Sequence, residues 1–213
     1  MRPGIGSAWT VLPARVWAAG DLTGRGAFTH LATYQADIVV REILGRPGPA
    51  ANYGALPRVT FADPEIGAVG LTEQQARDQG LDVAIGLAQS PSTTRGWIHK
   101  AGNKGVIKLV ADRTVGVLLG ATFAGPAAGE VLGALAVAVH ARVPVALLRE
   151  MIYAYRTFHR GIQDALRGLN SNPGALINQP SSHRQCVNGD RHRGLKCEPA
   201  HGPASDARSS VAA

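Results

Sequence analysis

The chain has 213 residues, of which 45% are apolar, and this is enough apolar surface to form a hydrophobic core. The composition therefore excludes a wholly disordered protein. Lys and Arg together number 22 against 15 Asp and Glu, which gives a formal net charge of +7. A clustered positive charge would favour a polyanion, but this charge is spread along the chain, so we expect no nucleic-acid partner.

The sequence offers little support for a secretory signal or a membrane span. Pro13 and Arg15 interrupt the apolar run near the N-terminus, so we expect a cytoplasmic protein without a secretory signal. Residues 115–141 are rich in apolar side chains, but Pro126 and Glu130 lie within them. A spanning helix needs about 20 nearly continuous apolar residues, so we expect no contact with a membrane.

Residues 170–213 differ in composition from the rest of the chain. They contain no aromatic residue and show no apolar periodicity, which predicts a disordered tail. The two cysteines of the chain, Cys186 and Cys197, both lie in this tail. Their spacing is typical of neither a zinc site nor a disulfide framework, so we interpret them as free thiols and predict no metal site.

The first folded segment has the pattern of a strand, a turn and a helix. Residues 16–19 form a short apolar run, and glycines follow at positions 20, 24 and 26, as at the end of a strand that turns sharply. Apolar residues at near-helical spacing then predict a helix over 27–44, with an apolar face made of Leu31, Tyr34, Ile38, Ile43 and Leu44. Residues 47–56 are rich in Gly, Pro and Asn, and we interpret them as a linker.

Strand and helix patterns follow one another in the next hundred residues. Thr72 and Gln75 have the spacing of a capping box, which predicts a short helix that ends at Gly80. The mixed order of the elements predicts an α+β fold. The further expected elements are two β runs around Asp63-Pro64, a strand over 81–89, a hairpin that turns at 111–114, an apolar helix over 127–140, and two helical pieces interrupted at 155–158.

Asp21 is the first candidate site residue. It follows the apolar run and precedes the N-terminus of a helix, where open α/β sheets bind their ligands. The helix N-terminus could hold a phosphate, and the carboxylate could accept hydrogen bonds from sugar hydroxyls. The segment is not the dinucleotide fingerprint, because Thr29 occupies the position of the third glycine. A plain turn or helix-cap aspartate is the alternative.

Longer segments resemble a known family. The run VWAAGDLTGRGAFTHLATYQADIVVREILG resembles the second flavin-contacting segment of the pyridine nucleotide-disulfide oxidoreductases, which include dihydrolipoamide dehydrogenase, glutathione reductase and mercuric reductase. The runs LPRVTFADPEIGAVGLTEQQARDQG and GVIKLVADRTVGVLLGATFAGPAAGEVLGALAVAVHARV resemble that family's C-terminal dimerisation domain. The resemblance covers roughly residues 11–169.

This resemblance implies an organisation and a cofactor. Residues 1–46 would be a strand-helix remnant of the FAD-binding domain, and residues 57–169 a dimerisation domain with a mixed sheet and helices that forms a homodimer. Asp21 would contact the ribityl and pyrophosphate part of FAD, and NAD(P)H would be the electron donor of the full-length family. The residues that would start the helix beside the flavin are Ala27, Phe28, Thr29, His30 and Leu31. From the residues alone, a solvent-facing or capping role of His30 is favoured over a place beside the flavin ring.

The chain also departs from the family pattern. It lacks the glycine-rich FAD strand, the redox cysteine pair and the nicotinamide domain. The family's His-Pro-Thr-x-x-Glu motif, which reaches into the partner's active site, aligns with YRTFHR. This alignment puts Tyr155 at the His position and Arg160 at the Glu position, with His159 four residues late. Tyr155 and His159 are therefore weak catalytic candidates, and we expect Arg160 to form an ion pair with Asp164.

The function expected from the resemblance is that of a C-terminal portion of an FAD-dependent NAD(P)H oxidoreductase. This portion would supply flavin contacts and a homodimer interface, and as an isolated chain it would be inactive. The alternative is a non-enzymatic dimerisation module from a truncated gene, able to pair with a full-length relative.

Overall fold

The computed structural model of the chain describes residues 16–169, which form six α-helices and five strands. The helices are α1 (Thr29–Ile43), α2 (Glu73–Asp78), α3 (Thr94–His99), α4 (Ala128–His140), α5 (Val145–Glu150) and α6 (Arg160–Gly168). The strands are β1 (Pro57–Thr60), β2 (Ile66–Gly70), β3 (Val83–Gln89), β4 (Val106–Asp112) and β5 (Val117–Ala124). The predicted α+β class is confirmed.

The five strands form one sheet in the order β1-β2-β5-β4-β3, and all neighbouring pairs are antiparallel. The expectation of a mixed sheet is therefore wrong. Short turns join β1 to β2 and β4 to β5, and a short turn forces two paired strands to run in opposite directions. The hairpin and the strand over 81–89 are confirmed as β4–β5 and β3.

The segment before α1 differs from its prediction. Residues 16–19 form no strand, and a single 3₁₀ turn, Asp21–Thr23, follows them. A strand exists only when a neighbour satisfies its backbone N–H and C=O groups, and none of the five described strands pairs with residues 16–19. The helix predicted over 27–44 is confirmed as α1, two residues shorter at its start and one at its end.

The main core lies between one face of the sheet and two helices. α4 packs on β2 and β5, while α6 packs on β3 and β4. Because successive strand residues point to opposite faces, Val83 and Val110 lie on the other face, where they pack with Ala76 of α2. The largest fully buried apolar side chains of the main core are Val69, Ile107, Leu109, Leu118, Phe123, Leu135 and Leu166.

Glycine allows the two core helices to approach the sheet closely. A Cβ atom at Gly86 of β3 would collide with the backbone carbonyl of Ala165 in α6. On the other side of the core, a Cβ at Gly67 of β2 would lie 2.9 Å from the carbonyl oxygen of Ala128 in α4. Side chains at these positions would push the helices away from the sheet.

Side chains cap several helix starts, among them those of α2 and α4. The capping box is confirmed: the backbone N–H of Gln75 donates to Thr72 Oγ1 at 3.2 Å, and that of Thr72 donates to Gln75 Oε1 at 2.9 Å. Glu65, in the turn between β1 and β2, caps α4 by accepting from the backbone N–H of Gly129 at 3.0 Å. The partners in this second cap are 64 residues apart in sequence, so no local pattern indicated it.

No helix within residues 16–169 is long and apolar enough to cross a membrane. In the same range, no group of three or more His, Cys, Asp or Glu side chains is arranged to hold a metal ion. The predicted tail, with Cys186 and Cys197, lies outside the described residues.

Candidate functional site

Asp21 lies on an exposed 3₁₀ turn that ends at Thr23, five residues before Phe28, the N-cap residue of α1. The turn is closed by hydrogen bonds from the N–H of Thr23 to the carbonyl of Gly20 and from the N–H of Gly24 to the carbonyl of Asp21, both 3.0 Å long. The Asp21 side chain is exposed, and its carboxylate has no hydrogen bond or ion pair with any residue from 16 to 169. It is therefore free to accept hydrogen bonds from a ligand.

Gln35 fixes the position of this turn. Its side chain is fully buried, and its Oε1 accepts a hydrogen bond from the backbone N–H of Gly20 at 2.7 Å. Its Nε2 donates to Thr23 Oγ1 at 3.1 Å and to the Tyr53 hydroxyl at 3.3 Å. One amide thus joins the turn, α1 and the segment after α1.

Sequence reasoning missed Gln35, although the sequence contains a signal for it. The residue lies four positions after Leu31 and three before Ile38, and these three side chains form the buried face of α1. A polar residue within an apolar helical stripe must satisfy its hydrogen bonds inside the protein. The predicted apolar face instead included Ile43 and Leu44, which are 57% and 55% exposed.

The predicted linker packs against α1 although it forms neither helix nor strand. The rings of Tyr34 and Tyr53 meet edge to face at 6.1 Å, and the Tyr34 hydroxyl accepts from the backbone N–H of Asn52 at 2.9 Å. The guanidinium carbon of Arg25 lies 5.2 Å from the centroid of the Tyr53 ring. Tyr53 therefore links Arg25, which follows the Asp21 turn, to Tyr34 on α1.

The start of α1 presents its first turn without a side-chain cap. Phe28, at the N-cap position, is half-buried and extended in backbone conformation, while Ala27 and Thr29 are exposed. The first turn contains no acidic residue that would neutralise the helix dipole. Leu31 is 1% exposed, so its side chain belongs to the protein interior.

His30 has a structural contact of its own. Its Nε2 lies 2.8 Å from the backbone carbonyl of Pro57, the first residue of β1. A carbonyl oxygen only accepts hydrogen bonds, so this nitrogen carries the proton. The ring also stacks on Phe28, with centroids 5.2 Å apart. His30 thereby links the start of α1 to the sheet.

The second candidate segment joins α5 to α6. Tyr155 is 63% exposed, and the guanidinium groups of Arg156 and Arg160 lie against its ring. His159 occupies the N-cap position of α6 without capping it. Neither Tyr155 nor His159 has a hydrogen bond to a carboxylate within residues 16–169, so the described part of the chain assembles no acid–base pair here.

The expected ion pair between Arg160 and Asp164 is wrong. Asp164 Oδ1 instead accepts from Arg167 Nη1 at 2.7 Å, one turn further along α6. Arg160 lies over the Tyr155 ring instead, and the attraction of a cation to an aromatic face competes with an exposed i,i+4 ion pair. In the same region, the pKa of Tyr153 is raised because its hydroxyl is partly buried.

Comparison with known families identifies the domain built from β1 to α6. Residues 56–166 match the family model described as pyridine nucleotide-disulphide oxidoreductase, dimerisation domain. The chain belongs to the pyridine nucleotide-disulphide oxidoreductase family. This family consists of FAD- and NAD(P)-dependent flavoprotein oxidoreductases, and residues 56–166 correspond to its dimerisation domain.

Individual members of the pyridine nucleotide-disulphide oxidoreductase family show the same relationship. The chain is 34% identical over 153 residues to a mercuric reductase of Bacillus cereus, covering 72% of this chain and 24% of that protein. It is 34% identical over 158 residues to a dihydrolipoyl dehydrogenase of Mycobacterium leprae, covering 73% of this chain and 33% of that protein. The chain thus spans between a quarter and a third of the length of these relatives.

Solved structures of family members share the fold. The crystal structure of LpdA from Mycobacterium tuberculosis matches with a TM-score of 0.66 at 26% identity, covering 73% of this chain and 34% of that one. The HOCl-induced flavoprotein disulfide reductase RclA from Escherichia coli matches with a TM-score of 0.64 at 26% identity, covering 71% of this chain and 35% of that one. The antiparallel sheet with its helices is therefore the architecture of this family's dimerisation domain.

Proposed function

We propose that the chain is the C-terminal portion of an FAD-dependent NAD(P)H oxidoreductase, and that it supplies part of a flavin site and a homodimer interface. The observation that carries the flavin assignment is the Asp21 carboxylate. It is exposed and has no protein partner in the described residues, yet its turn is fixed by two hydrogen bonds to Gln35, whose amide also donates to the Tyr53 hydroxyl.

The groups around Asp21 suit the parts of FAD that the resemblance assigns to them. A carboxylate accepts hydrogen bonds from ribityl hydroxyls, and the uncapped N-terminus of α1 favours the negative charge of a pyrophosphate. We propose that Ala27, Phe28 and Thr29 contact the cofactor through backbone atoms. Leu31 and His30 contribute indirectly, because they anchor the start of α1 to the core and to β1.

Flavin binding to the chain tests this assignment. We expect FAD fluorescence to change saturably as the protein is added, and we expect Asp21→Asn to weaken the affinity about tenfold, the effect of one or two charge-assisted hydrogen bonds. Asp37→Asn is the matched control, since Asp37 is an exposed aspartate on α1 without a described partner. Equal affinities of the wild type and Asp21→Asn would refute the role of Asp21.

The exposed face of α4 is the surface that we propose for the homodimer. Its solvent side carries Gly133, Ala134 and Val137, and Val137 is 66% exposed. Val137 lies four positions after Gly133 and three after Ala134, so the three residues share one face of the helix. We propose this face because residues 56–166 match a dimerisation domain and the face is apolar and exposed.

The oligomeric state tests the interface. Sedimentation equilibrium should show a dimer for the wild type and a monomer for Val137→Arg, because an arginine on this face would bury an unpaired charge in the dimer. Val115→Arg is the matched control, since Val115 is 55% exposed in the turn between β4 and β5. A Val137→Arg variant that remains dimeric would place the interface elsewhere.

We further propose that the isolated chain does not catalyse the oxidation of NADH or NADPH. The described residues offer no acid–base pair at Tyr155 and His159, and the sequence contains no cysteine pair separated by four residues. Oxidation of NADH or NADPH by the purified chain with added FAD should therefore equal that of free FAD. If the chain dimerises but does not bind FAD, the alternative of a non-enzymatic dimerisation module, able to pair with a full-length relative, replaces the flavin assignment.

A further inference from the structure

Aromatic and guanidinium side chains gather at the turn between α5 and α6. The guanidinium carbons of Arg156 and Arg160 lie 5.7 and 5.8 Å from the centroid of the Tyr155 ring. Arg95 of α3 lies 5.8 Å from the centroid of the Phe158 ring in the same turn. We call these five residues the guanidinium cluster.

The positive charge of this cluster is not neutralised by the described protein. Other arginines, such as Arg77 and Arg167, are paired with a carboxylate at 2.9 and 2.7 Å. None of the three arginines of the cluster has a carboxylate within 4.0 Å in residues 16–169. Asp164, which could have neutralised Arg160, is held by Arg167 instead.

The aromatic rings hold the guanidinium groups without a carboxylate. A guanidinium has five N–H donors, so those that are not directed at the ring can donate to an anion. Tyr155 is 63% exposed, while Phe158 is buried and also contacts the ring of His99 at 5.8 Å. The cluster therefore has an anchored base and an accessible edge of N–H donors.

We propose that the guanidinium cluster binds a small oxyanion, either a phosphate group or a carboxylate carried by a small molecule. Guanidinium groups bind both through paired N–H···O hydrogen bonds, which match the geometry of these anions. The cluster is confined to the turn before α6, the first residue of α6 and one residue of α3, which suits one compact anion and not the row of phosphates of a nucleic acid. The proposal does not depend on flavin binding by Asp21.

A titration of the isotopically labelled chain followed by NMR tests the proposal directly. Inorganic phosphate is the first probe and acetate the second, each added at low ionic strength because salt screens exposed charges. We expect saturable shifts of the backbone amide signals of residues 155–161 and 94–100. A stronger effect of phosphate would identify a phosphate site, and a stronger effect of acetate would identify a carboxylate site.

A charge-matched pair of variants separates a defined site from general attraction. Arg156→Gln combined with Arg160→Gln should weaken binding at least tenfold. Arg46→Gln combined with Arg142→Gln removes the same charge from two exposed arginines outside the cluster and should change the affinity less than twofold. Far-UV circular dichroism checks that both double variants are folded. If the Arg156→Gln, Arg160→Gln protein is unfolded, the single variant Arg156→Gln replaces it.

Three results would overturn the proposal. The first is a set of shifts that are spread over the surface or do not saturate, which indicates nonspecific screening. The second is an equal loss of affinity in the two charge-matched variants. The third is binding of duplex DNA to this surface with no response to phosphate or acetate, which would make the cluster a polyanion site.

Discussion

The amide of Gln35 offers the sharpest test of how the candidate flavin turn is held in place. We consider Gln35→Met, which keeps the length and volume of the side chain and removes its hydrogen-bonding groups. The backbone N–H of Gly20, now 2.7 Å from Gln35 Oε1, would lose its acceptor, and Thr23 Oγ1 and the Tyr53 hydroxyl would each lose a donor.

The magnitude follows from the burial of this site. An unsatisfied buried N–H costs about 1–3 kcal/mol, while the two lost donors at partly buried hydroxyls cost less because water can replace them. The apolar methionine side chain, buried where Gln35 is 0% exposed, offsets part of this loss. We therefore expect the free energy of unfolding to fall by about 2 kcal/mol.

Urea denaturation and amide hydrogen exchange measure the effect. The denaturation midpoint should fall, and exchange of the Gly20 amide should accelerate more than that of amides in β4, because the turn opens locally before the sheet does. Gln74→Met is the control: Gln74 is exposed and bonds only Asp78, so its change should stay below about 0.5 kcal/mol. An unchanged midpoint together with a protected Gly20 amide would refute the reasoning.

Three further variants test the packing and capping of the dimerisation domain. Glu65→Ala removes the acceptor for the N–H of Gly129 at the start of α4 and should cost about 1 kcal/mol in urea denaturation. Gly86→Val places a side chain against the carbonyl of Ala165 and should cost about 3 kcal/mol or prevent folding. Glu73→Gln should reduce the loss of stability in acid, because hydrogen bonds from basic neighbours lower the pKa of Glu73 below its ordinary value of 4.5.

The direction of the Glu73 effect follows from that lowered pKa. Lys108 and Arg77 stabilise the carboxylate, so its contribution is present above the ordinary pKa and is lost as the pH falls through the folded-state pKa. Wild type and Glu73→Gln should therefore converge in stability toward low pH.

The other two variants have exposed controls. Glu150→Ala is the control for Glu65→Ala, and Leu87→Val is the control for Gly86→Val. Each control should change the free energy of unfolding by less than about 0.5 kcal/mol. Effects as large in the controls would contradict the assigned contacts.

Local patterns in the sequence were sufficient for most of the secondary structure. The capping box at Thr72 and Gln75 was predictable because both partners lie within one helical turn. The β4–β5 hairpin and α1 followed from side-chain periodicity for the same reason. Family membership was also visible in the sequence, because long segments keep the family's residues in order.

Contacts between distant residues needed the tertiary structure. Residues 16–19 have the composition of a strand, but none of the five described strands pairs with them. Composition cannot show whether a partner strand lies nearby. The antiparallel pairing of β2 with β5 likewise depends on how the β1–β2 and β4–β5 hairpins are placed side by side in the sheet. Glu65 caps a helix 64 residues away, which no local pattern indicates.

For the candidate site, the sequence determined that Asp21 precedes a helix, and the family resemblance predicts Tyr155 at the position of the family's histidine. Only the tertiary structure decided that Gln35 holds the Asp21 turn, and that Arg156 and Arg160 lie against the Tyr155 ring instead of pairing with Asp164. The physical reason is that hydrogen bonds and cation–π contacts depend on distance and direction in space. Spacing along the chain determines such distances and directions only for residues that are close neighbours in the sequence.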